Sequence, residues 1–531
     1  MTALFLILIA VVILTSIWLN TLSTRIGVPT LLAFMLLGML FANTGLWPVR
    51  FDNYDVAKET CTVALIFIMF YGGFGTRWDA VKPVVRESAL LASLGVMVTA
   101  GLTGVFCHFA LGWDWLESLL FGSVMGSTDA ASVFSILRSK RLGLKNNTAP
   151  MLEMESGSND PAAYMCTAIL LSIMNGSATG GSIAWNIVAQ IAFGAGCGVG
   201  IAWLATLAFR RIRFVTDGFD SLFIFAIAIA AYAIPSLIGG NGYLSAYMVG
   251  IILGNEEFKD KRSLVSFFDG ITGLMQMLLF FLLGLLAKPT MMHKAILPAL
   301  AIFGFMLLIA RPVAVFGILT PFRKYPFTQQ ALISFVGLRG AASIVFAIMA
   351  MVDPAFLKND IFNIVFVVVL LSIAVQGSLI PRVARKLDMV DPEADVMKTF
   401  NDYSDDPDMH FGRIGITPDS LWADKAIKEL GLPRNVLIAL VLRGSQRILP
   451  RGDTVLEAGD EVITLTRGFA DSSTSLEEKT VKADSRRVGQ RIADYPGKGL
   501  IVMVRRGEEN IIPSGDTILQ AGDRLVILNL K

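Results

Sequence analysis

The sequence is poor in the residues from which metal centres and hydrolytic sites are built. Its 531 residues include four cysteines without Cys-x-x-Cys spacing and three widely separated histidines, so a His/Cys metal site is not predicted. Walker A, His-Glu-x-x-His, Gly-x-Ser-x-Gly and kinase motifs are missing, which gives no support to an enzyme or to ATP-driven pumping. Only 17% of the residues are charged and the net charge is +2, so nucleic acid is not an expected partner.

The chain is instead rich in long apolar runs. Hydrophobic residues make up 54% of it, and runs of about 20 residues, enough to cross a bilayer as a helix, recur as far as Leu387. The first run lacks a basic leading region and a cleavage site, so we expect a retained membrane span rather than a signal peptide. Thirteen spans are predicted, over residues 2–22, 27–44, 59–75, 87–110, 115–137, 150–175, 183–209, 219–237, 241–254, 264–287, 294–320, 328–352 and 358–381.

The loops between these segments indicate the orientation of the chain. If the C-terminus is cytoplasmic, thirteen spans place the N-terminus outside. The predicted inner loops then carry 16 Lys and Arg residues and the outer loops carry five. This asymmetry agrees with the excess of basic residues in cytoplasmic loops of membrane proteins.

The sixth segment contains ionisable residues at bilayer depth. Glu155 and Asn159 are four residues apart, as are Ser156 and Asp160, and together they form one polar face of a helix. If the helix begins near Pro150, Asp160 lies about 15 Å along it, close to the middle of the bilayer. A polar cytoplasmic helix end is the alternative, but Asp160 lies too deep for it. Ionisable residues at this depth usually face a cavity or an ion path, so we predict a small-cation site.

Two other segments are interrupted by polar and glycine-rich stretches, at residues 126–129 (Gly-Ser-Thr-Asp) and 337–343 (Gly-Leu-Arg-Gly-Ala-Ala-Ser). Paired breaks are typical of inverted-repeat transporters with a site near the midplane, whereas a glycine-rich packing face is the alternative for either break alone. We expect Asp129 to offset a positive helix end and Arg339 a negative one. Arg339 is also the predicted partner of Glu155.

The eleventh segment contains Arg311 followed by Pro312. The proline is expected to kink the helix and free a backbone carbonyl. Arg311 is predicted to pair with that carbonyl in a structural role.

The last third of the chain is charged and contains a repeat. The pattern Pro-x-Gly-Asp-Thr-x-Leu-x-Ala-Gly-Asp occurs at 450–460 and again 63 residues later at 513–523, and Arg443 has its counterpart in Arg506. Each copy predicts a small α/β module, with a short helix over 419–430 in the first. The predicted domains are a transmembrane exchanger domain (1–387), an acidic linker (388–410), a first module (411–467) and a second, related module (474–531).

Residues 1–387 resemble the monovalent cation/proton antiporter-1 family, and within it the bacterial NhaP-type branch of potassium/proton antiporters. The residues that carry the resemblance are Thr128-Asp129, Glu155-Ser156-x-x-Asn159-Asp160, Leu338-Arg339-Gly340, Gly250–Asn255, Phe268-Asp269-Gly270 and Leu282–Leu286. The resemblance implies a dimer with a scaffold, a mobile six-helix core and two broken, crossing helices. It also implies a cation site at Thr128, Ser156 and Asp160, and a structural ion pair of Glu155 with Arg339. Many relatives carry an acidic residue where this chain reads 71–77 (Tyr-Gly-Gly-Phe-Gly-Thr-Arg), so no role is assigned there.

The two C-terminal modules resemble TrkA-C domains, the ligand-binding half of potassium-regulatory domains. No dinucleotide-binding half accompanies them, so NAD-type regulation is not expected. No cofactor is predicted apart from a regulatory nucleotide of undetermined identity at these modules.

The resemblance therefore implies a prokaryotic inner-membrane antiporter that exchanges K⁺ for H⁺. Na⁺ is the second candidate for the exchanged cation. Asp160 would carry either a proton or a cation, because burial disfavours a charged carboxylate and keeps protonation competitive. Asn159, Ser156, the backbone near Thr128 and Asp129 would complete the site. The Asn159-Asp160 pair matches the motif associated with electroneutral exchange. The alternatives are a sodium-selective antiporter, a channel or uniporter gated by the modules, and a transporter of an organic solute.

Overall fold

The computed structural model describes residues 7, 10–18, 30–43, 51, 53–140, 142–176, 180–211, 218–256, 261–355, 357–391, 409–417, 420, 422–430, 432, 436–444, 446–467, 474–481, 489–492, 500–506, 509–511 and 516–530. They belong to two compact units, Met1–Ser404 and Asp405–Lys531.

The first unit is helical. Its helices, in chain order after a helical stretch at 10–18, are α1 (Thr30–Asn43), α2 (Tyr54–Gly75), α3 (Trp78–Leu111), α4 (Trp115–Val124), α5 (Ala130–Ser139), α6 (Thr148–Met174), α7 (Gly180–Arg211), α8 (Phe219–Leu237), α9 (Gly242–Gly254), α10 (Lys261–Leu286), α11 (Pro289–Phe322), α12 (Phe327–Phe335), α13 (Ala341–Val352) and α14 (Ile361–Lys386).

These helices agree with the apolar segments of the sequence. Each predicted segment from 27–44 onward coincides with one helix, except that the fifth is divided into α4 and α5 and the twelfth into α12 and α13. Most of the first segment, 2–22, lies outside the described residues. Seven of the described helices are long and apolar enough to cross a bilayer, and four more are apolar but shorter. The helical membrane fold is therefore confirmed, while the count of thirteen spans stays a prediction.

Burial distinguishes the outer helices from the inner ones. On α7, large apolar side chains are exposed, among them Trp203 at 64% and Trp185 at 62%, as expected of a helix that faces lipid. By contrast, α13 and the first half of α14 are buried along nearly their whole length. Polar groups on these inner helices have no access to bulk water, so protein atoms must satisfy them.

Three of the long helices contain a π turn. These turns are Leu91–Gly95 in α3, Met306–Ala310 in α11 and Ser372–Gly377 in α14. A π turn changes which side chains face a neighbouring helix, and such turns occur frequently at functional sites. The turn in α11 ends directly before Arg311.

A two-stranded ribbon joins the start of α6 to the end of α14. Strand β1 (Gly143–Leu144) pairs antiparallel with β2 (Val390–Asp391). Lys145 donates from its amide to the carbonyl of Met389 (3.0 Å) and from Nζ to Asp388 (3.0 Å). The Met389 side chain is buried, so the ribbon is packed into the helical unit rather than standing free of it.

The second unit contains two four-stranded antiparallel sheets. The strands are β3 (Met409–Gly415), β4 (Val436–Arg443), β5 (Gln446–Ile448), β6 (Glu461–Arg467), β7 (Thr474–Thr480), β8 (Leu500–Arg506), β9 (Glu509–Ile511) and β10 (Arg524–Leu530). Their orders, β3-β6-β4-β5 and β7-β10-β8-β9, are equivalent in the two copies. The predicted internal repeat therefore corresponds to two sheets of the same topology.

The helix predicted over 419–430 is wrong for the described part of that range, where the structure has only a 3-10 turn at Ile427–Glu429. The backbone instead bonds to the loop before β6: the amides of Asp424, Ile427 and Lys428 donate to the carbonyls of Leu456, Thr454 and Gly452. These bonds occupy the amides that a helix would have used internally.

The repeated Arg and Asp residues form the same ion pair in both copies. Arg443 binds both oxygens of Asp460 (2.8 Å each) and Arg506 binds both oxygens of Asp523 (2.9 Å each). The hydrogen bonds from Arg443 hold the pKa of Asp460 below its usual range, and those from Arg506 do the same for the pKa of Asp523. The repeated Arg and Asp residues therefore have a structural role. Their ion pair joins the end of β4 to the turn before β6 in the first copy, and the end of β8 to the turn before β10 in the second.

Candidate cation site

The two helix breaks meet. The amide of Asp129, between α4 and α5, donates to the carbonyl of Leu338, between α12 and α13, over 2.8 Å. In the opposite direction, Nη1 of Arg339 donates to the carbonyl of Ser127 over 2.7 Å. The break residues thus satisfy part of each other's backbone, as non-helical backbone at bilayer depth requires.

Two glycines make this close approach feasible. A Cβ atom at Gly340 would clash with the carboxylate of Asp129, and one at Gly337 would lie 2.8 Å from Nε of Arg311. Both positions therefore leave room for a charged side chain from another helix. This steric requirement accounts for the two glycines that flank Leu338 and Arg339.

Asp129 occupies a helix start. Its Oδ1 accepts from the amide of Ser132 (3.1 Å) and its Oδ2 from the hydroxyl of Ser132 (2.5 Å), so it caps the N-terminus of α5, directly before the first helical residue. The Asp129 carboxylate also lies where a Cβ atom of residue 340 would be, directly before the first residue of α13. A carboxylate there stabilises the positive ends of both helix dipoles, as expected from the sequence.

The polar face of α6 lies against the first break. Ser156 Oγ donates to the carbonyl of Thr128 (2.6 Å), Asn159 Nδ2 donates to the Thr128 hydroxyl (2.5 Å), and the Thr128 amide donates to Asn159 Oδ1 (3.3 Å). The hydroxyl of Ser127 donates to Oδ1 of Asp160. All five side chains are buried. The structure therefore brings Thr128, Ser156, Asn159 and Asp160 together, as the sequence predicted.

The chemistry of this cluster suits a small monovalent cation. A carboxylate, three hydroxyls and backbone carbonyls supply hard oxygen atoms within a few ångströms of one another, in a region that is shielded from bulk water. Ser127 was not assigned a role from the sequence, although its hydroxyl contacts Asp160 directly. The available signal was its position inside the polar break next to Thr128.

The predicted ion pair of Glu155 with Arg339 is wrong. Glu155 instead pairs with Arg311 of α11, and both side chains are almost fully buried, at 1% and 5% exposure. Arg339 donates to the carbonyl of Ser127. Arg311, which the sequence had suggested would pair with a carbonyl freed by Pro312 in its own helix, binds the Glu155 carboxylate instead. Arg311 lies directly after the π turn of α11, and from there its guanidinium reaches Glu155 on α6.

Comparisons with known proteins agree with this architecture. The model of the family described as sodium/hydrogen exchanger, transmembrane, matches residues 8–386, and that of the TrkA-C domain matches residues 413–466 and 476–528. A K⁺/H⁺ antiporter NhaP from Alkalimonas amylolytica is 34% identical over 468 residues, which cover 87% of this chain and 81% of that protein. A K⁺/H⁺ antiporter NhaP2 from Shewanella sp. strain ANA-3 is 32% identical, with the same coverage of 87% and 81%.

A solved structure supports the fold. That of the sodium proton antiporter MjNhaP1 from Methanocaldococcus jannaschii at pH 8 covers 71% of this chain and all of that one. Its TM-score is 0.62 and its sequence identity is 21%.

Proposed function

Because the chain belongs to the sodium/hydrogen exchanger family, we propose that it is a secondary antiporter that exchanges K⁺ for H⁺ across the plasma membrane of a prokaryote. The observation that carries this proposal is the buried Asp160 carboxylate at the crossing of two helix breaks, surrounded by hydroxyl and carbonyl oxygens. The preference for K⁺ rests on the relatives that are named K⁺/H⁺ antiporters and on the two TrkA-C modules. A sodium-selective antiporter is the second candidate.

In the proposed mechanism, Asp160 holds a proton or a cation but not both. A proton on the carboxylate neutralises it. A cation takes the same place through the carboxylate and the oxygens of Ser127, Thr128 and Ser156, while Asn159 holds Thr128 in position. Since each occupant brings one positive charge to the site, one K⁺ leaves for one H⁺ and the exchange is electroneutral. This scheme assigns the chain to transporters rather than to enzymes.

The remaining parts of the proposal concern organisation. We expect a homodimer with the N-terminus outside and the C-terminus in the cytoplasm, in keeping with the distribution of basic residues. The domain boundaries expected from the sequence stay part of the proposal, except that residues 388–391 of the expected linker belong to the ribbon packed on the exchanger domain. The TrkA-C modules would bind a regulatory ligand, with a nucleotide as the first candidate, and shift the transporter between active and inactive states through differential affinity for the two.

The test is proton movement in proteoliposomes. A pH gradient is imposed and KCl, NaCl or choline chloride is added, with the membrane potential clamped or free. We expect KCl, but not choline chloride, to dissipate the gradient for the wild type irrespective of the clamp, and to have no effect for Asp160→Asn. Asp55→Asn serves as the matched control, because Asp55 is exposed at the start of α2.

Each alternative has its own signature in this assay. Dissipation by NaCl alone identifies a sodium-selective antiporter. Cation flux that follows voltage, needs no proton movement and persists in Asp160→Asn identifies a gated channel or uniporter and refutes the proposal.

A further inference from the structure

The second helix break leaves backbone groups that need partners away from water. The break separates α12, whose last residue is Phe335, from α13, which begins at Ala341. The carbonyls at the end of one helix and the amides before the next have no helical partner. At bilayer depth such groups must be satisfied by protein, since no bulk water reaches them.

Two side chains of α14 supply these partners. The amide of Arg339 donates to Ser372 Oγ (2.9 Å), the Ser372 hydroxyl donates to Gln376 Oε1 (2.5 Å), and Gln376 Nε2 donates to the carbonyl of Phe335 (2.9 Å). The chain of bonds therefore runs from one side of the break to the other through α14. Ser372 and Gln376 are both buried.

The π turn of α14 contains both residues. It spans Ser372–Gly377 and follows a stretch of α14, Ile361–Leu371, that is almost entirely apolar. Neither residue was assigned a role from the sequence. Two hydrogen-bonding side chains that follow this apolar stretch are both directed to one break, which indicates a specific role for the π turn.

A small cavity lies beside the break, lined by Arg311, Ser334, Gly337, Arg339 and Gln376 together with apolar side chains of α11 and α14. Gln376 thus borders both the cavity and the break. Its bond to the Phe335 carbonyl, together with the bond of the Arg339 amide to Ser372, attaches the break to α14.

The position of this break is transmitted to the first one. The carbonyl of Leu338 accepts from the amide of Asp129, and the side chain of Arg339 donates to the carbonyl of Ser127. Ser127 and Asp129 are the two neighbours of Thr128, whose carbonyl and hydroxyl face the cluster around Asp160. A shift of residues 338–339 would therefore displace the oxygens of the proposed cation site.

We propose that Ser372 and Gln376 are positioning residues for the cation site, acting through the second helix break. The inference rests on the proposed function and adds α14 to the parts of the chain that determine cation affinity. Neither residue is required to contact the cation.

The experiment compares Ser372→Ala, Ser372→Cys and Gln376→Met with the wild type in the proteoliposome assay. Ser378→Ala is the matched control, because Ser378 lies on the same helix but is exposed. We expect the K⁺ concentration for half-maximal exchange to rise about three- to ten-fold, the equivalent of one lost hydrogen bond. The maximal rate should change less than two-fold. Ser372→Ala and Gln376→Met should not be additive when combined, because both interrupt one chain of bonds.

Three outcomes would overturn the inference. They are an unchanged half-maximal concentration, a loss of maximal rate alone, and a failure of all three variants to fold as judged by size-exclusion profiles. The last two would assign the residues a structural role only. If the wild type itself shows no K⁺-dependent proton movement, the proposed function fails rather than this inference.

Discussion

The buried pair of Glu155 and Arg311 offers the sharpest test of the packing described above. Arg311→Met leaves the Glu155 carboxylate in a site where it is 1% exposed. Its second oxygen already lacks a hydrogen-bond partner in the described structure. Breaking a buried pair in this way costs about 3–5 kcal/mol, since an uncompensated charge stays inside the protein.

The magnitude translates into a measurable change in heat stability. At about 2 °C per kcal/mol, the lower end for larger domains, the apparent melting temperature in detergent should fall by about 6–10 °C. In the double variant Glu155→Gln/Arg311→Met no charge is left unpaired. Its loss of stability should therefore be smaller than the sum of the two single losses by about 1–3 kcal/mol. The assay is fluorescence-detected size exclusion after heating.

The matched comparison uses Arg339→Met with the same Glu155→Gln. Because Arg339 donates to the carbonyl of Ser127 rather than to Glu155, its loss should be closer to additive with that of Glu155. A larger coupling of Glu155 with Arg339 than with Arg311 would refute the assignment and restore the pairing expected from the sequence.

Three further predictions address the rest of the molecule. Gly340→Ala should abolish exchange in proteoliposomes, because the added methyl group occupies the place of the Asp129 carboxylate, whereas Gly72→Ala, with no atom within 4 Å of the added Cβ, should retain it. Arg443→Met should speed amide hydrogen exchange in β4 at pH 7, unlike the exposed Arg451→Met. The Arg443 hydrogen bonds lower the pKa of Asp460, so they stabilise the module at pH values above the usual carboxyl pKa of about 4. The difference in exchange between Arg443→Met and the wild type should therefore shrink as the pH falls below that value. A chain that ends after Leu387 should melt several degrees below one that ends after Ser404, because it lacks strand β2 and the buried Met389. Burial of the Met389 side chain contributes about 2–3 kcal/mol to the free energy of unfolding. Equal melting temperatures would show that the ribbon contributes nothing.

The regulatory hypothesis has a structural starting point in the same ribbon. Strand β2 lies at the end of α14, and the chain continues from it toward the TrkA-C modules. Its partner β1 lies between α5 and α6, the helices that carry Ser132 and Asp160. The ribbon therefore links the end of the last helix to the connection that precedes α6.

The sequence by itself determined the features that depend on local composition. Apolar runs of the length of a bilayer located the helices from α1 to α14. The polar and glycine-rich stretches located the breaks between α4 and α5 and between α12 and α13. The spacing of four residues placed Asn159 and Asp160 on the polar face of α6. The motif that recurs after 63 residues predicted two related modules. Each of these signals is contained in a short window of the chain, which is why it could be interpreted without knowledge of the packing.

Only the tertiary structure decided which distant groups meet. Arg311 and Arg339 are both buried arginines on apolar segments, and nothing in their sequence neighbourhoods distinguishes the partner of Glu155, which lies 156 residues before Arg311. Ser372 and Gln376 reach the second break because a π turn places them there, and π turns have no strong sequence signature. The helix expected over 419–430 was lost to hydrogen bonds with a loop more than 20 residues away. In each case the outcome depends on the distance and angle between helices or strands, which periodicity along one segment does not contain.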